Sequence, residues 1–469
     1  MDRISGLPDE VLCHILSFLP TKLAALTSVL STKWRNLLAF VPNLDITCHI
    51  KIVPVDSIYY GIPKEIMYGT MLSFRGFIDR VLALQGDSSI KKVSLNCINY
   101  VHPDHLDRWI CNVLRRGVSD LETAIYDQDG DDDFNYLLPQ EMFVSRTLVK
   151  LKLSDVEWWP GAEGTFLPKL KTLAVNGHWF CPDKLEMILP AVPVLEELYI
   201  KHIMWKDLGD SVSSASLKKL TIHANGCQSM VAHITTSMSI SFDTPSLLYL
   251  EYSDEVASYY PKVNLTNLVD AVLDLNIRDF EYMKLYRERN DDGLRNYVVL
   301  RCGNLCKLMA GIGNVKTLTF SSKTLELFSI CFESMPAFNN LKMLRISGSV
   351  HPYLCAWDCI SLEEKGGWLI SCPVEKIVEK ILIEMFRGTK REIGTVKHLL
   401  ESLSCLKEMT LFAGRDYPTD IFDLVVKMVN LCNGSYRAVV KNASWILNTR
   451  TDVDPLRPYQ VQQPFDIDF

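Results

Sequence analysis

Few residues in this chain have the types and spacing that chemistry needs. Asp127, Asp129, Asp131, Asp132 and Asp133 form the densest carboxylate run. A calcium loop of the helix–loop–helix kind needs glycine at its sixth position and a bidentate Glu at its twelfth. Counted from Asp127, those positions hold Asp132 and Leu138, so the run reads as a solvated acidic loop. Cys302 and Cys306 are separated by three residues, as are Cys355 and Cys359, with His351 close to the second pair. Structural zinc takes four ligands in closed geometry. No fourth ligand is evident, and buried free thiols are the expectation. His178, His202, His223, His233 and His398 accompany no candidate nucleophile. Gly311-Ile312-Gly313 leads into an expected strand, whereas a dinucleotide loop must open a helix. The sequence therefore offers no catalytic residues, no metal set and no cofactor site, and the chain is expected not to be an enzyme.

The elements that would position a functional surface are announced by apolar spacing. One phrase recurs: apolar, two residues, apolar, one residue, apolar. It reads Leu148-x-x-Leu151-x-Leu153, Leu170-x-x-Leu173-x-Val175, Leu195-x-x-Leu198-x-Ile200 and Leu217-x-x-Leu220-x-Ile222. Leu247-x-x-Leu250-x-Tyr252, Val315-x-x-Leu318-x-Phe320 and Leu341-x-x-Leu344-x-Ile346 follow. Weaker copies sit at Ile90-x-x-Val93-x-Leu95, Leu121-x-x-Ala124-x-Tyr126 and Leu268-x-x-Ala271-x-Leu273. Two more lie at Val378-x-x-Ile381-x-Ile383 and Leu406-x-x-Met409-x-Leu411. Successive copies are roughly 20 to 30 residues apart, the period of leucine-rich repeats, each giving one strand of a parallel sheet. Apolar residues separated by one share a strand face and stack on the pair of the next repeat. The prolines Pro168, Pro193 and Pro245 and the stretch Lys184 to Leu189 mark irregular returns, since the asparagine usual in such repeats is mostly missing.

In each phrase the residue between the last two apolar positions points to the opposite, solvent-facing side. Lys152, Tyr199, Thr221, Glu251 and Arg345 occupy such positions, and Lys201 and His223 the next ones along. This stripe on the concave sheet is expected to bind a target protein. The alternative carriers of contact are aromatic residues of the returns, Trp158, Trp159, Trp179, Trp205, Tyr259 and Tyr260.

The N-terminus has a different period. Pro8 suits a first helical position, and Asp9 and Glu10 suit the first turn. Val11, Leu12, Ile15, Leu16 and Leu19 recur at helical spacing. Thr21 is placed to cap a second helix, and Val29, Leu30, Trp34, Leu37 and Leu38 outline a third. So small a module buries too little apolar surface to stand alone, and needs the rest of the chain or a partner.

Leu7-Pro8-Asp9-Glu10, Ile15 to Lys22, Thr27-Ser28-Val29-Leu30-Ser31-x-x-Trp34-Arg35 and Val41 to Ile46 together resemble a plant F-box. One departure is Thr32-Lys33, where the family more often has two basic residues. The resemblance implies docking on a Skp-type adaptor, and through it on a cullin scaffold. Leu7, Pro8, Ile15, Leu16 and Leu19 would form the contact, with Trp34 steadying the module. Phe386 to Ile393 and Val396 to Leu403 resemble the FBD module that follows the repeats in plant F-box proteins; Ser371-Cys372-Pro373-Val374 departs from that family's usual turn.

The expected fold class is α/β: an N-terminal three-helix F-box, then an irregular leucine-rich-repeat solenoid with a parallel sheet, ending in an FBD module. The expected boundaries are 1–46 for the F-box, 47–88 for a helical connector, 89–369 for the solenoid, 370–432 for the FBD module and 433–469 for a C-terminal segment with a loose tail. A net charge of −7 speaks against a nucleic-acid footprint. No run approaches the roughly 20 apolar residues of a membrane span, and the N-terminus lacks a secretory core. The 14 cysteines have no framework spacing, which suits a reducing compartment; cytoplasm, nucleus or both are expected. The implied function is target recognition in an SCF-type (Skp–cullin–F-box) ubiquitin ligase. The alternatives are a small-molecule sensor or co-receptor with a repeat-lined pocket, and a binding scaffold without a ligase role.

Overall fold

The computed structural model describes residues 4, 6–47, 64–98, 101–126, 136–154, 164–177, 183–203, 210–224, 239–276, 303–321, 324, 327, 336, 338–347, 378–386, 405–413, 437–441 and 444–448. The acidic run 127–133, Cys302, His351, Cys355, Cys359, the four Trp residues of the returns, most of the FBD-like stretch and the tail Pro455–Phe469 lie outside them. Two compact units, Met1–Lys206 and Asp207–Phe469, divide the chain.

The first unit opens with helices α1 (Asp9–Leu16), α2 (Thr21–Leu26) and α3 (Thr32–Leu37), the last followed by a 3-10 turn over Leu38–Phe40. Strand β1 (Asn43–Thr47) follows, then α4 (Lys64–Gln85), β2 (Lys92–Ile98), α5 (Pro103–Arg115), β3 (Asp120–Tyr126), β4 (Lys150–Ser154), β5 (Thr172–Asn176), α6 (Asp183–Ala191) and β6 (Glu197–Ile203). The six strands pair in chain order, all parallel. Their registers align Leu44, Val93, Leu121, Leu151, Leu173 and Leu198 in one inward row, and every one of these side chains is buried.

Two features of this row were not in the expected pattern. Val41-x-x-Leu44-x-Ile46 is itself a copy of the phrase, so the strand ending the three-helix module is the first rung of the sheet. The copy expected at Leu121-x-x-Ala124-x-Tyr126 is displaced by three residues. Leu121 pairs with Val93 and Leu151, so the phrase is Val118-x-x-Leu121-x-Thr123. Thr123 stands where the neighbours have Leu95 and Leu153. It is fully buried, and its hydroxyl has no hydrogen-bond partner among the described residues.

In the second unit β8 (Lys219–Ala224), β10 (Tyr249–Glu255), β12 (Asp270–Asn276), β13 (Thr317–Ser321), β14 (Met343–Ser347), β15 (Lys380–Phe386) and β16 (Glu408–Ala413) form a parallel sheet in that order. Strands β17 (Arg437–Lys441) and β18 (Ser444–Asn448) extend it antiparallel from β16. Leu220, Leu250, Ala271, Leu318, Leu344, Ile381 and Met409 form the inward row. On the return side a small parallel sheet orders β7 (Asp210–Ser213), β9 (Ile240–Asp243) and β11 (Val263–Asn264). It meets the main core where Phe242 packs edge-on against Tyr252, centroids 5.5 Å apart. A helix over 303–311, α7, fills a further return. Its Gly311 leaves no room for a side chain, because a Cβ there would penetrate Val263.

Several strands are entered in the same way. The first apolar residue of the phrase donates its N–H three residues back, as Leu170 to Leu167, Leu195 to Val192 and Leu247 to Thr244. Pro168, Pro193 and Pro245 therefore sit at the second turn position, where their fixed φ is favourable. One carbonyl then accepts two successive amides of the next rung. Lys91 O takes Ser119 and Asp120, Ser119 O takes Val149 and Lys150, and Lys316 O takes Lys342 and Met343, at 2.8–3.0 Å. Helix α5 was not among the expected elements, although His102-Pro103-Asp104 and buried Leu106, Trp109, Ile110 and Val113 carry its signal. Gly117, with φ +78°, turns the chain out of it.

Two substitutions test this core. Leu220→Ala is expected to cost about 2–5 kcal/mol. Thr123→Val removes an unsatisfied buried hydroxyl at nearly constant shape, and is expected to leave stability unchanged or raise it by about 1 kcal/mol. Urea denaturation of the full chain checks both.

Candidate functional site

The three-helix module divides its apolar residues between two faces. Leu12, Leu16, Trp34, Leu37, Leu38 and Val41 fill its interior. The end of α4 seals that interior, since the Gln85 side-chain amide donates to the carbonyls of Leu38 (3.3 Å) and Val41 (3.0 Å). Thr21 takes no part in capping α2. It is buried instead, and its hydroxyl accepts the Asp45 N–H at 2.8 Å, tying α2 to β1. Lys33, the basic residue kept at the Thr32-Lys33 departure from the F-box pattern, clamps the entry to α1. Its Nζ donates to the Leu7 carbonyl at 2.7 Å and lies 3.3 Å from Asp9.

The second apolar face is exposed. Val11, Ile15 and Phe18 follow one another at helical spacing along α1 and the turn after it, with Phe18 74% accessible. Leu23, Leu26, Val29 (81% accessible) and Leu30 expose theirs along α2 and beyond. So many large exposed apolar side chains in so short a stretch are unusual on a protein surface. Of the residues expected to make the adaptor contact, Pro8 and Ile15 are exposed, and Leu7 and Leu19 half-buried. Leu16 corrects the expectation. It is 1% accessible and belongs to the interior, because α1 turns Leu12 and Leu16 to the core. Trp34 is buried with it. Val11, Phe18, Leu23, Leu26, Val29 and Leu30 are exposed residues that sequence reasoning left out of the expected contact. Helical spacing alone did not separate them from core.

The outward strand stripe is a ladder of cross-strand pairs. In the first unit Lys152 reaches Glu122 on the neighbouring strand at 2.5 Å, and Lys201 is exposed beyond half-buried Tyr199. Ala174 separates Lys152 from Tyr199 in register. In the second unit the structure brings Thr221, His223 and Glu251 together. His223 Nε2 lies 2.8 Å from Glu251 Oε1, and Tyr249 donates its hydroxyl to Glu251 Oε2 at 2.9 Å. Arg345 stands three strands from Glu251, with its Nε 3.8 Å from Glu384.

Thr221 is a second correction. Only 2% of it is accessible, so it is not part of a solvated stripe. Thr319 is likewise buried. Both are short, and their register neighbours are longer: Glu251 beside Thr221, Arg345 beside Thr319. Outward direction alone did not ensure access. Tyr259 is exposed and carries Lys307 over its ring at 4.3 Å, whereas Tyr260 is buried.

No group of three or more His, Cys, Asp or Glu among the described residues could hold a metal ion. Among them too, no helix is long and apolar enough to cross a membrane. Asn264, in a glycosylation-type triplet, donates its side-chain amide to Asp243 at 2.7 Å. The two hydrogen bonds on Asp243, from Lys262 and Asn264, hold its carboxyl below the usual range.

Comparison with known proteins agrees with this architecture. A model of the F-box domain matches residues 4–44. A model described as the leucine-rich repeats of the FBD-associated F-box protein At5g56370 matches residues 106–250. The chain is 45% identical to the F-box/LRR-repeat protein At3g58930 of Arabidopsis thaliana, over 92% of this chain and 95% of that one. It is 45% identical to the F-box protein At3g03040 of the same plant, over 88% and 90% respectively.

Lys33→Ala is expected to lower the stability of the three-helix module by about 1 kcal/mol, the worth of one hydrogen bond. Hydrogen exchange at residues 7–12 should quicken, and Lys33→Arg should restore most of the protection.

Proposed function

We propose, on the premise that the chain belongs to the F-box/LRR-repeat family of plant proteins, that it is the target-recognition subunit of an SCF-type ubiquitin ligase. The carrying observation is the exposed apolar face of a module whose other face is already filled. Pro8 and Ile15, flanked by Leu7 and Leu19, meet a Skp-type adaptor, and the adaptor links the chain to a cullin scaffold. Phe18, Val29 and Leu30 widen that contact. Leu16 and Trp34 act from within, by holding the helices in place.

The chain performs no chemistry in this role. It raises the effective concentration of a bound protein near a ubiquitin-conjugating enzyme held elsewhere in the assembly. The target docks on the outward strand stripe. In the first unit Tyr199 is a half-buried aromatic anchor beside the charges of Lys152 and Lys201; in the second, His223, Glu251 and Arg345 set charge complementarity. Thr221, being buried, is not part of that contact.

Two experiments test these contacts. Pro8→Ala combined with Ile15→Glu should weaken co-purification with the adaptor tenfold or more, that is by about 1.4 kcal/mol or beyond, at an unchanged melting temperature. An unchanged affinity would remove this face from the interface. Tyr199→Ala with Lys201→Glu and Glu251→Lys should reduce capture of the chain's protein partners while adaptor binding is retained. Capture of the same partners at equal yield would assign recognition to the return loops.

A further inference from the structure

One imidazole in the helical layer of the first unit lies between two guanidinium groups. Arg75 on α4 brings Nη1 to 3.2 Å from His105 Nε2. Arg108 on α5 brings Nη2 to 2.9 Å from His105 Nδ1. Arg108 is anchored by Asp79 Oδ1 at 2.7 Å, and the same oxygen accepts Trp109 Nε1 at 2.8 Å. Trp109 also lies against the imidazole, with centroids 6.0 Å apart.

A guanidinium nitrogen only donates, and a neutral imidazole has one accepting nitrogen and one N–H. One of the two contacts therefore sets donor against donor. The shorter contact, to the anchored Arg108, places the acceptor at Nδ1. The ring proton then sits on Nε2 and faces Arg75, which has no carboxylate partner among the described residues. Two donors converge there without an acceptor between them.

The surrounding charges do not supply that acceptor. Asp79 on α4 is engaged by Arg108 and Trp109. Asp104 on α5 lies 3.4 Å from His102, at the outer end of the helix. Burial first, then Arg75 and Arg108, hold the imidazole below its ordinary pKa, so the ring is neutral at pH 7. With the ring neutral, two arginines face a single carboxylate, Asp79.

We propose that Arg75 and His105, with Arg108 behind them, form an oxyanion site that takes a phosphate group. An oxygen that bridges Arg75 Nη1 and His105 Nε2 from one side of their 3.2 Å contact accepts from both, and charge-assisted bonds from arginine to phosphate are among the stronger ones. The site lies on the helical returns and does not rest on the outward stripe. Free phosphate and the phosphoserine of a bound protein share this chemistry. A bound anion favours the charged imidazole; the added proton goes onto Nδ1, which then no longer accepts from Arg108, and Arg108 keeps its bond to Asp79, so binding takes up a proton and tightens as pH falls.

Calorimetry on the full chain tests the site with three probes: sulfate, inorganic phosphate and a phosphoserine peptide. Arg75→Ala should weaken sulfate and phosphate about tenfold or more, and Arg75→Lys less, because the lysine keeps the charge but not the fork. Arg80→Ala, an exposed residue of the same helix, should change neither. Sulfate has no proton to exchange near neutrality. It should bind the native chain more tightly at about pH 5.5 than at about pH 7.5, and His105→Gln should flatten that dependence. A peptide affinity well above that of inorganic phosphate assigns the site to a phosphorylated partner; equal affinities assign it to small phosphates. The proposal is overturned if sulfate does not bind, if Arg80→Ala costs as much as Arg75→Ala, or if His105→Gln leaves the pH dependence intact.

Discussion

A single carbonyl that accepts two consecutive amides is the contact on which both sheets depend. It recurs at the entry to rung after rung: Pro42 O to Lys91 and Lys92, Val149 O to Lys171 and Thr172, Lys218 O to Leu248 and Tyr249, Glu379 O to Lys407 and Glu408. A carbonyl oxygen has two lone pairs, and both are used here. The amides where each strand begins are therefore satisfied by backbone alone. No particular side chain is required at the junction, so Pro, Lys, Ser, Val, Leu and Glu all serve as acceptors. Repeats of leucine-rich type often rely on an asparagine at a fixed position. This chain dispenses with most of those asparagines, and the forked carbonyl explains why its returns can be irregular while its strands stay in register.

That division of labour frees the side chains. Inward positions need only be apolar and of fitting size, and Leu, Ile, Val, Phe, Tyr and Met all occur there. Tyr252 shows the limit. It is completely buried, and its hydroxyl donates to Asp254, also buried, at 3.0 Å. Burial and the nearby carboxylate drive the phenol far above its usual pKa, so it stays a donor. Outward positions are left to carry charge pairs such as Lys152 with Glu122 and Lys380 with Glu408. Exposed pairs of this kind add little stability; their value is the pattern they present.

The N-terminal helices solve the problem of a small core by borrowing. Gln85 closes the floor, Thr21 is bonded to β1, and Leu44 and Ile46 continue into the first sheet. With the interior completed from within the chain, the outer apolar face is not needed for folding. Its exposed side chains can therefore be committed to association.

The sequence by itself determined the elements that obey a local rule. Strand alternation has a period of two, so Leu198 and Ile200, or Leu344 and Ile346, could be placed inward without knowing their neighbours. Helical spacing and the Leu-Pro-Asp-Glu opening placed the helices of the N-terminal module, though not which of their apolar residues turn inward. Tertiary structure alone decided whatever depended on a neighbour in space. Thr123 took a leucine's place because the strands on either side fix its register, and no local signal distinguishes it from an outward threonine. Thr221 points outward yet is covered, since access depends on the length of side chains one rung away. Leu16 and Ile15 are adjacent and equally apolar. Only the docking of α1 on its neighbours determined that one is core and the other surface.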